Sequence, residues 1–180
     1  MDAKKTTALL GIAFIVFLAL SYFENLFFFG VLGDFLRNPF LAVATLFVHN
    51  VLVVSLILLG MTFYVRLVML DFFKREKYGR IVLEHPRTFA VTFAVMILLL
   101  SIVRASILIY GTLSLADLPA MLLISAPIGI IEGYGMYLTI SKTLGRTMST
   151  KDLAFIYIIF FIAAIIEVGF INLLVAVTAR

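Results

Sequence analysis

Five side chains that ionise or form hydrogen bonds stand inside otherwise apolar stretches of this sequence: His49, Asn50, Arg104, Glu132 and Glu167. Carboxylates, an imidazole and a guanidinium exchange protons, hold ions or pair with one another when they lie away from water. Two interpretations of these groups stay open. They are either interhelical pairs that fix the register of a helix bundle, or the lining of an ion or substrate path in which Glu132 or Glu167 titrates.

Catalytic chemistry has much weaker support in the sequence. It contains no H-E-x-x-H, no G-x-S-x-G, no G-x-G-x-x-G and no Walker-type lysine loop. Four aspartates fall at the ends of predicted helices, where helix capping explains them: Asp34, Asp71, Asp117 and Asp152. With no cysteine and only two histidines, a metal centre is not expected either. We therefore predict no catalytic residue, no metal ligand and no cofactor.

The composition shows which solvent these side chains meet. The 180 residues are 64% hydrophobic and 13% charged, and the mean hydropathy is +1.20. A soluble domain carries about 25% charged residues, so this chain has too little polar surface to face water on all sides. The net charge of +4 does not indicate nucleic-acid binding, because the basic residues cluster at predicted helix ends as they do in membrane proteins. The lipid bilayer is the expected environment.

Five stretches are long and apolar enough to cross a bilayer, which takes about 20 residues. They predict an all-α, polytopic transmembrane helical bundle that forms a single domain over residues 1–180, with a basic cytoplasmic loop at 65–87. The predicted spans are 7–23, 40–64, 88–110, 118–140 and 153–178.

The distribution of basic residues predicts the orientation of these spans. Two lysines precede the first span, six basic residues lie between Arg66 and Arg87, and three lie between Lys142 and Lys151. These eleven, out of fourteen in all, fall on one side of the predicted bundle. By the positive-inside rule the protein is a multi-pass protein of the cell membrane with a cytoplasmic N-terminus and an extracytoplasmic C-terminus. Anionic lipids at the cytoplasmic face are expected partners.

The segment near residues 26–37 does not read as a span. Its sequence, LFFFGVLGDFLR, is apolar but short, and it contains Gly30 and Gly33. We expect an interfacial or re-entrant segment with its phenylalanines at headgroup level. The alternative is a simple extension of the first helix.

Depth within the predicted spans indicates which polar groups can meet. At 1.5 Å per residue from the outer ends, Arg104 lies roughly 10 Å deep, Glu167 roughly 16 Å and Glu132 roughly 21 Å. An arginine side chain reaches several ångströms along the bilayer normal. Arg104 and Glu167 are therefore the predicted ion pair, and Glu132 is left without an obvious strongly basic partner.

The fourth predicted span is the richest in features that shape a helix. Gly129 and Gly133 form a small-xxx-small pair that permits close approach of another helix. Pro127 frees backbone carbonyls nearby, which can kink the span and create a polar pocket beside Glu132. The sequence thus places helix-packing residues and an ionisable group on one helix.

Two of these stretches resemble a known family. Phe47-Val48-His49-Asn50 in the second span and Ile128-Gly129-Ile130-Ile131-Glu132 in the fourth are similar to motifs of the stage II sporulation protein M family of integral membrane proteins. Members typically carry His-Gly-x-x-Glu, and isoleucine stands here where that histidine is usual. The resemblance covers roughly spans two to five and implies Asn50, Gly129 and Glu132 as shared positions.

The resemblance also implies a class of function. In spore-forming bacteria the family member is the membrane part of a complex that recruits peptidoglycan-degrading enzymes. The expected role is therefore a non-enzymatic scaffold or assembly component, with a homo-oligomer or other membrane-complex subunits as partners. The alternative is a small transporter or channel whose Glu, Arg and His side chains line a path. An intramembrane enzyme would need a clustered nucleophile or metal set that the sequence does not offer.

Overall fold

The computed structural model describes the backbone of residues 3–35, 38–70, 82–110 and 118–178. Side chains are described for residues 4–24, 26–27, 38–70, 82–99, 119 and 126–173. Within this part of the chain all regular structure is helical, which confirms the predicted all-α class. The five helices are α1 (Ala3–Phe35), α2 (Pro39–Met69), α3 (Pro86–Tyr110), α4 (Leu118–Leu144) and α5 (Thr150–Thr178).

Among the residues whose side chains are described, three helical stretches have the length and apolar character that a bilayer crossing requires. They are Lys4–Glu24 of α1, Pro39–Met69 of α2 and Thr150–Leu173 of α5. The described part of α3, Pro86–Leu99, is apolar as well. The chain therefore has the build of an integral membrane protein.

Three helices form the centre of the bundle, and each of the other two packs chiefly against one of them. Helices α2, α4 and α5 pack against one another, while α1 packs chiefly against α2 and α3 chiefly against α4. The larger buried cluster lies where the central helices meet, with further residues from α3. Among its members are Val54, Ile57, Met136, Ile140, Ile156 and Phe160. A smaller cluster of Ala42, Leu46, Ala164 and Val168 joins α2 to α5.

Helices α1 and α2 form an antiparallel pair that fits glycine against phenylalanine twice. A Cβ atom added at Gly60 would lie 2.9 Å from Cε2 of Phe14, and one added at Gly11 would lie 3.0 Å from Cε2 of Phe63. The two rings stack on each other with centroids 6.3 Å apart. Each glycine thus gives room to the aromatic ring of the opposite helix, which lets the two backbones approach closely.

The sequence-based expectation of a separate interfacial or re-entrant segment near 26–37 is wrong up to Phe35. The backbone runs as one helix of 33 residues from Ala3 to Phe35, which is the simple extension of the first helix. No proline interrupts this stretch, and isolated glycines weaken a helix by about 1 kcal/mol each without breaking it. At 1.5 Å per residue the helix is about 50 Å long, well beyond the roughly 30 Å of a hydrocarbon core.

The start of α2 is specified locally by two consecutive residues. Asn38 has extended backbone angles, and its side-chain oxygen accepts hydrogen bonds from the backbone N–H groups of Phe40 and Leu41. Pro39 occupies the first helical position, where the missing N–H costs nothing. An N-cap followed by proline is a strong local signal for a new helix.

The turn between α4 and α5 is equally well defined. Arg146 takes a left-handed conformation with φ 55°, and the N–H of Thr147 donates to the carbonyl of Lys142. Ser149 and Asp152 then form a reciprocal capping box, in which the Ser149 N–H donates to Asp152 and the Asp152 N–H donates to the Ser149 hydroxyl. Lys142 Nζ lies 2.7 Å from Asp152 Oδ1, so an ion pair also ties the end of α4 to the start of α5.

Candidate functional site

Two consecutive polar residues of α2 connect it to two different helices. His49 Nδ1 lies 2.9 Å from Oε2 and 3.1 Å from Oε1 of Glu24 on α1. Asn50 Nδ2 donates to Oε1 of Glu132 on α4 across 3.2 Å. Successive residues of an α-helix point about 100° apart, so neighbouring side chains on one helix reach partners on different sides. One turn of α2 therefore joins α1 to α4 through polar contacts.

The Glu24–His49 contact lies between the two helices of the α1–α2 pair. Both side chains are largely covered, with 19% of Glu24 and 20% of His49 exposed. The sequence pattern did not single out Glu24, because it stands at the end of the first predicted span. The antiparallel register of α1 and α2 explains the contact. Gly11 lies against Phe63 and Gly60 against Phe14, and this register puts Glu24 level with His49 and Asn50.

The Asn50–Glu132 contact lies in the three-helix centre. Asn50 is 7% exposed, and the carboxylate that it contacts belongs to a residue 82 positions later. A side-chain amide offers two N–H donors and an accepting oxygen. Within the described residues, the side-chain oxygen of Asn50 has no hydrogen-bond donor. Among the described residues, the Asn50 amide therefore uses one N–H as a donor to Glu132.

Glu167 of α5 lies close to the level of Glu132 of α4 along the axis of the bundle. The antiparallel register of α4 and α5 explains this. Gly135 faces Phe160: a Cβ atom added at that glycine would lie 2.6 Å from Cε2 of the ring. Because the helices are antiparallel, Glu132, three residues before Gly135, is level with Ala163, three residues after Phe160. Glu167 follows one turn later, about 6 Å along the helix axis, on the side of α5 that includes the buried Ala163.

The contacts of Glu24, His49, Asn50 and Glu132 define one polar layer that crosses α1, α2 and α4, and Glu167 of α5 lies within about one helical turn of its level. Among the described side chains, these residues are three carboxylates, one imidazole and one amide. Within the described residues, Glu167 has no hydrogen-bond or ion-pair partner. The layer can hold helices together through the two pairs that the described residues form, Glu24 with His49 and Asn50 with Glu132.

Arg104 belongs to α3, but its side chain lies outside the described residues. The predicted Arg104–Glu167 ion pair therefore stays a prediction. The described partner of Glu132 is the amide of Asn50, a neutral group. The structure thus brings three of the five candidate side chains, His49, Asn50 and Glu132, into one layer, and it places Glu167 within about one helical turn of its level.

The glycines of α4 lie against α3 of the same chain. A Cβ atom added at Gly133 would lie 2.7 Å from Cδ1 of Leu98, and one added at Gly129 would lie 3.9 Å from Cδ2. Helix α4 continues through Pro127, which stands inside it and is exposed. The small-residue pair therefore serves an interface within the chain, where Leu98 fills the space that it leaves.

The described residues include no group of three or more His, Cys, Asp or Glu side chains close enough to share a metal ion. Comparison of the sequence with models of known families gave no match, and neither the curated proteins nor the solved structures gave one.

Proposed function

We propose that this chain is a multi-pass cell-membrane protein of about five spans, with its N-terminus in the cytoplasm and its C-terminus outside. Support comes from where the basic residues fall on the helices. Lys4 and Lys5 lie at the start of α1, Arg66 near the end of α2, Arg87 at the start of α3 and Lys142 near the end of α4. Helices that alternate in direction collect these positions at one membrane face, where anionic lipids attract them.

Within that membrane, we propose a non-enzymatic role as a scaffold or assembly component of a membrane complex, as in proteins similar to the stage II sporulation protein M family. The observation that carries this proposal is the use of interior polar groups between helices of the same chain. Asn50 pairs with Glu132, and His49 pairs with Glu24. Asn50 and Glu132 are also two of the three positions that the family resemblance implies.

The physical role of such pairs is to fix helix positions. A hydrogen bond between transmembrane helices contributes about 0.6 kcal/mol on average and up to about 1.7 kcal/mol, and it specifies rotation and depth that apolar contacts leave free. The outer surface is available for lipid or other subunits: Ile12, Ile15 and Phe23 of α1 are each more than half exposed. A rigid frame with apolar lateral faces suits an assembly component, whose partners are membrane proteins or further copies of the chain.

Extraction in polymer-bounded native-lipid discs followed by native mass spectrometry tests this role. We expect a complex of defined stoichiometry from wild type and a smaller yield of it from Glu132→Gln. The matched control is Glu84→Gln, the same substitution at an exposed position, which should leave the complex intact. Recovery of wild type solely as a monomer would contradict the proposal.

A small transporter or channel is the second candidate, and one observation favours it. Glu167 lies within about one helical turn of the level of Glu132 and has no hydrogen-bond or ion-pair partner among the described residues, as a group on an ion path would. Proteoliposomes of the purified protein should then show proton- or ion-coupled flux that Glu132→Gln abolishes and Glu84→Gln leaves unchanged. If the purified protein shows no flux above empty vesicles across a broad ion and substrate panel, this candidate fails.

A further inference from the structure

Helix α5 has one side that the described part of the chain leaves uncovered. Helices α2 and α4 pack against its other side, where Phe160, Ala163 and Ala164 are buried. Along the middle of the uncovered side, exposed residues alternate at spacings of three and four positions: Phe155, Ile158, Ile162, Ile165, Gly169 and Asn172. We refer to these six residues as the α5 seam. This spacing is the heptad repeat by which two helices pack side by side.

Asn172 is the member of the α5 seam that does not suit contact with lipid. Its side chain is exposed and has no hydrogen-bond partner among the described residues. The sequence continues with Leu-Leu-Val-Ala-Val up to position 177, so the amide stands inside the apolar stretch, about 9 Å before the end of the predicted span. Hydrocarbon offers no hydrogen-bonding group, and a polar side chain exposed to it is unfavourable. A protein partner on this face would satisfy the amide.

Gly169 lies less than one turn before Asn172 and leaves room for a neighbouring helix. A Cβ atom added at this glycine would meet no atom within 4 Å, so the backbone of α5 lies open there. Gly135 of α4 differs, because Phe160 of the same chain fills the space beside it. Small residues let the backbones of membrane helices approach closely, and polar side chains then bond across the contact.

The α5 seam is long enough for a helix pair that crosses the bilayer. From Phe155 to Asn172 it rises about 26 Å at 1.5 Å per residue, and a hydrocarbon core is roughly 30 Å thick. Its large apolar members are each about half exposed, at 51% for Phe155, 54% for Ile158 and 47% for Ile165. A partner helix would therefore find contacts along nearly the whole length that a transmembrane pair can use.

A second copy of the chain is the partner that fits these features. Copies of a membrane protein insert in the same direction, so the α5 helices of two copies run parallel. A two-fold axis along the membrane normal then brings each residue of the seam beside its own counterpart. A side-chain amide carries both donors and an acceptor, so two Asn172 side chains satisfy each other at the same depth without any added charge.

We infer that α5 is a homodimer interface, in which the seams of two copies pack in parallel and their Asn172 amides form hydrogen bonds with each other. This inference rests on the proposed role in a membrane complex and names one partner in it, a second copy of the chain. The apolar face of α1 then remains for lipid or for other subunits.

Disulfide mapping in native membranes tests the interface, and the chain has no cysteine that would interfere. The single-cysteine variants Ile158→Cys and Ile165→Cys are treated with copper phenanthroline, and molecular oxygen takes up the electrons and protons of the two thiols that join. A disulfide forms only where two Cα atoms lie within about 7 Å, so we expect a covalent dimer from both variants. Ile12→Cys is the matched control on α1, where Ile12 is 59% exposed, and it should remain monomeric.

The contribution of Asn172 is measured separately as dimer affinity. Fluorophore-labelled protein is diluted in liposomes over a range of protein-to-lipid ratios, and single-molecule photobleaching counts the copies in each particle. Asn172→Leu should weaken the dimer by about 3- to 18-fold, the effect of losing one hydrogen bond between membrane helices. Asn172→Gln retains an amide and should recover most of the affinity.

Two results would overturn the inference. One is a covalent dimer that is no more abundant from Ile158→Cys and Ile165→Cys than from Ile12→Cys. The other is an unchanged dimer affinity in Asn172→Leu. The proposed assembly role fails on a different result, the recovery of wild type solely as a monomer from native-lipid discs. A complex of defined stoichiometry without disulfides at the seam would therefore count against the α5 interface alone.

Discussion

Asn50 of α2 donates its side-chain amide to the carboxylate of Glu132 on α4 across 3.2 Å, and in doing so it links two helices separated by 82 residues of sequence. The preceding residue, His49, makes the corresponding contact with Glu24 of α1. Helix α2 therefore makes both of these polar contacts, one with α4 and one with α1.

Replacement of Asn50 by leucine should lower the free energy of unfolding by about 1–2 kcal/mol, because it removes the interhelical hydrogen bond and leaves the Glu132 carboxylate without a donor. The measurement is unfolding of the purified protein in mixed micelles with increasing denaturing detergent. Thr45→Val is the control, since the Thr45 hydroxyl donates to the Leu41 carbonyl of its own helix. An unchanged midpoint for Asn50→Leu would show that the contact does not stabilise the bundle.

Gly60→Ala should destabilise the α1–α2 pair by about 1–3 kcal/mol, because the new methyl group would lie 2.9 Å from the ring of Phe14. Gly169→Ala makes the same substitution where no atom lies within 4 Å, and it should be neutral or stabilising by up to about 1 kcal/mol through helix propensity. Thermal unfolding of both variants makes the comparison. Phe14→Leu in the Gly60→Ala background should recover part of the loss, and equal effects of the two alanines would contradict the close packing.

The Glu24–His49 contact should appear as an interaction energy in a double-mutant cycle. Glu24→Gln and His49→Gln each remove the same contact between two largely buried side chains, so the double variant should be more stable than the sum of the single effects predicts. A coupling of about 0.5–3 kcal/mol is the range for contacting residues. The readout is the unfolding free energy of the four proteins, and strictly additive effects would exclude an interaction between the two side chains.

Asp152→Ala should lower the unfolding midpoint, because it removes the capping box of α5 as well as the ion pair with Lys142. Both ionic groups are partly exposed, so the ion pair contributes little of this and only that part should be screened by salt. Unfolding midpoints at low and high salt separate the two contributions. Lys151→Ala, at an exposed position beside it, serves as the control, and a loss abolished entirely by salt would argue against the cap.

Some of this architecture follows from local sequence, and some cannot. The sequence predicts Asp152 at a helix end, and it is the third residue of α5, where it forms the capping box with Ser149. The segment after Glu24 differs from the expectation because isolated glycines do not end a helix and no proline interrupts it, so α1 continues to Phe35.

The contacts of the polar layer were out of reach for a different reason. Counting residues along predicted spans gives depth, and depth alone paired Arg104 with Glu167. Whether Glu132 meets Asn50 depends on the rotation of α2 and α4 about their own axes, which is set by packing such as Leu98 against Gly133. Tertiary packing of this kind leaves no local signal in the sequence.

The order of the helices along the chain gives the α1–α2 pair a consequence during synthesis. Phe14, Gly60, Glu24 and His49 all find their partners once the second helix has emerged from the ribosome. Asn50 must wait for Glu132, and at 5–20 residues per second the intervening 82 residues take roughly 4 to 16 s to translate. During that interval the amide lies within the newly inserted hairpin without its carboxylate. At this stage of synthesis, a chaperone or insertase would have the Asn50 amide of the nascent hairpin to shield.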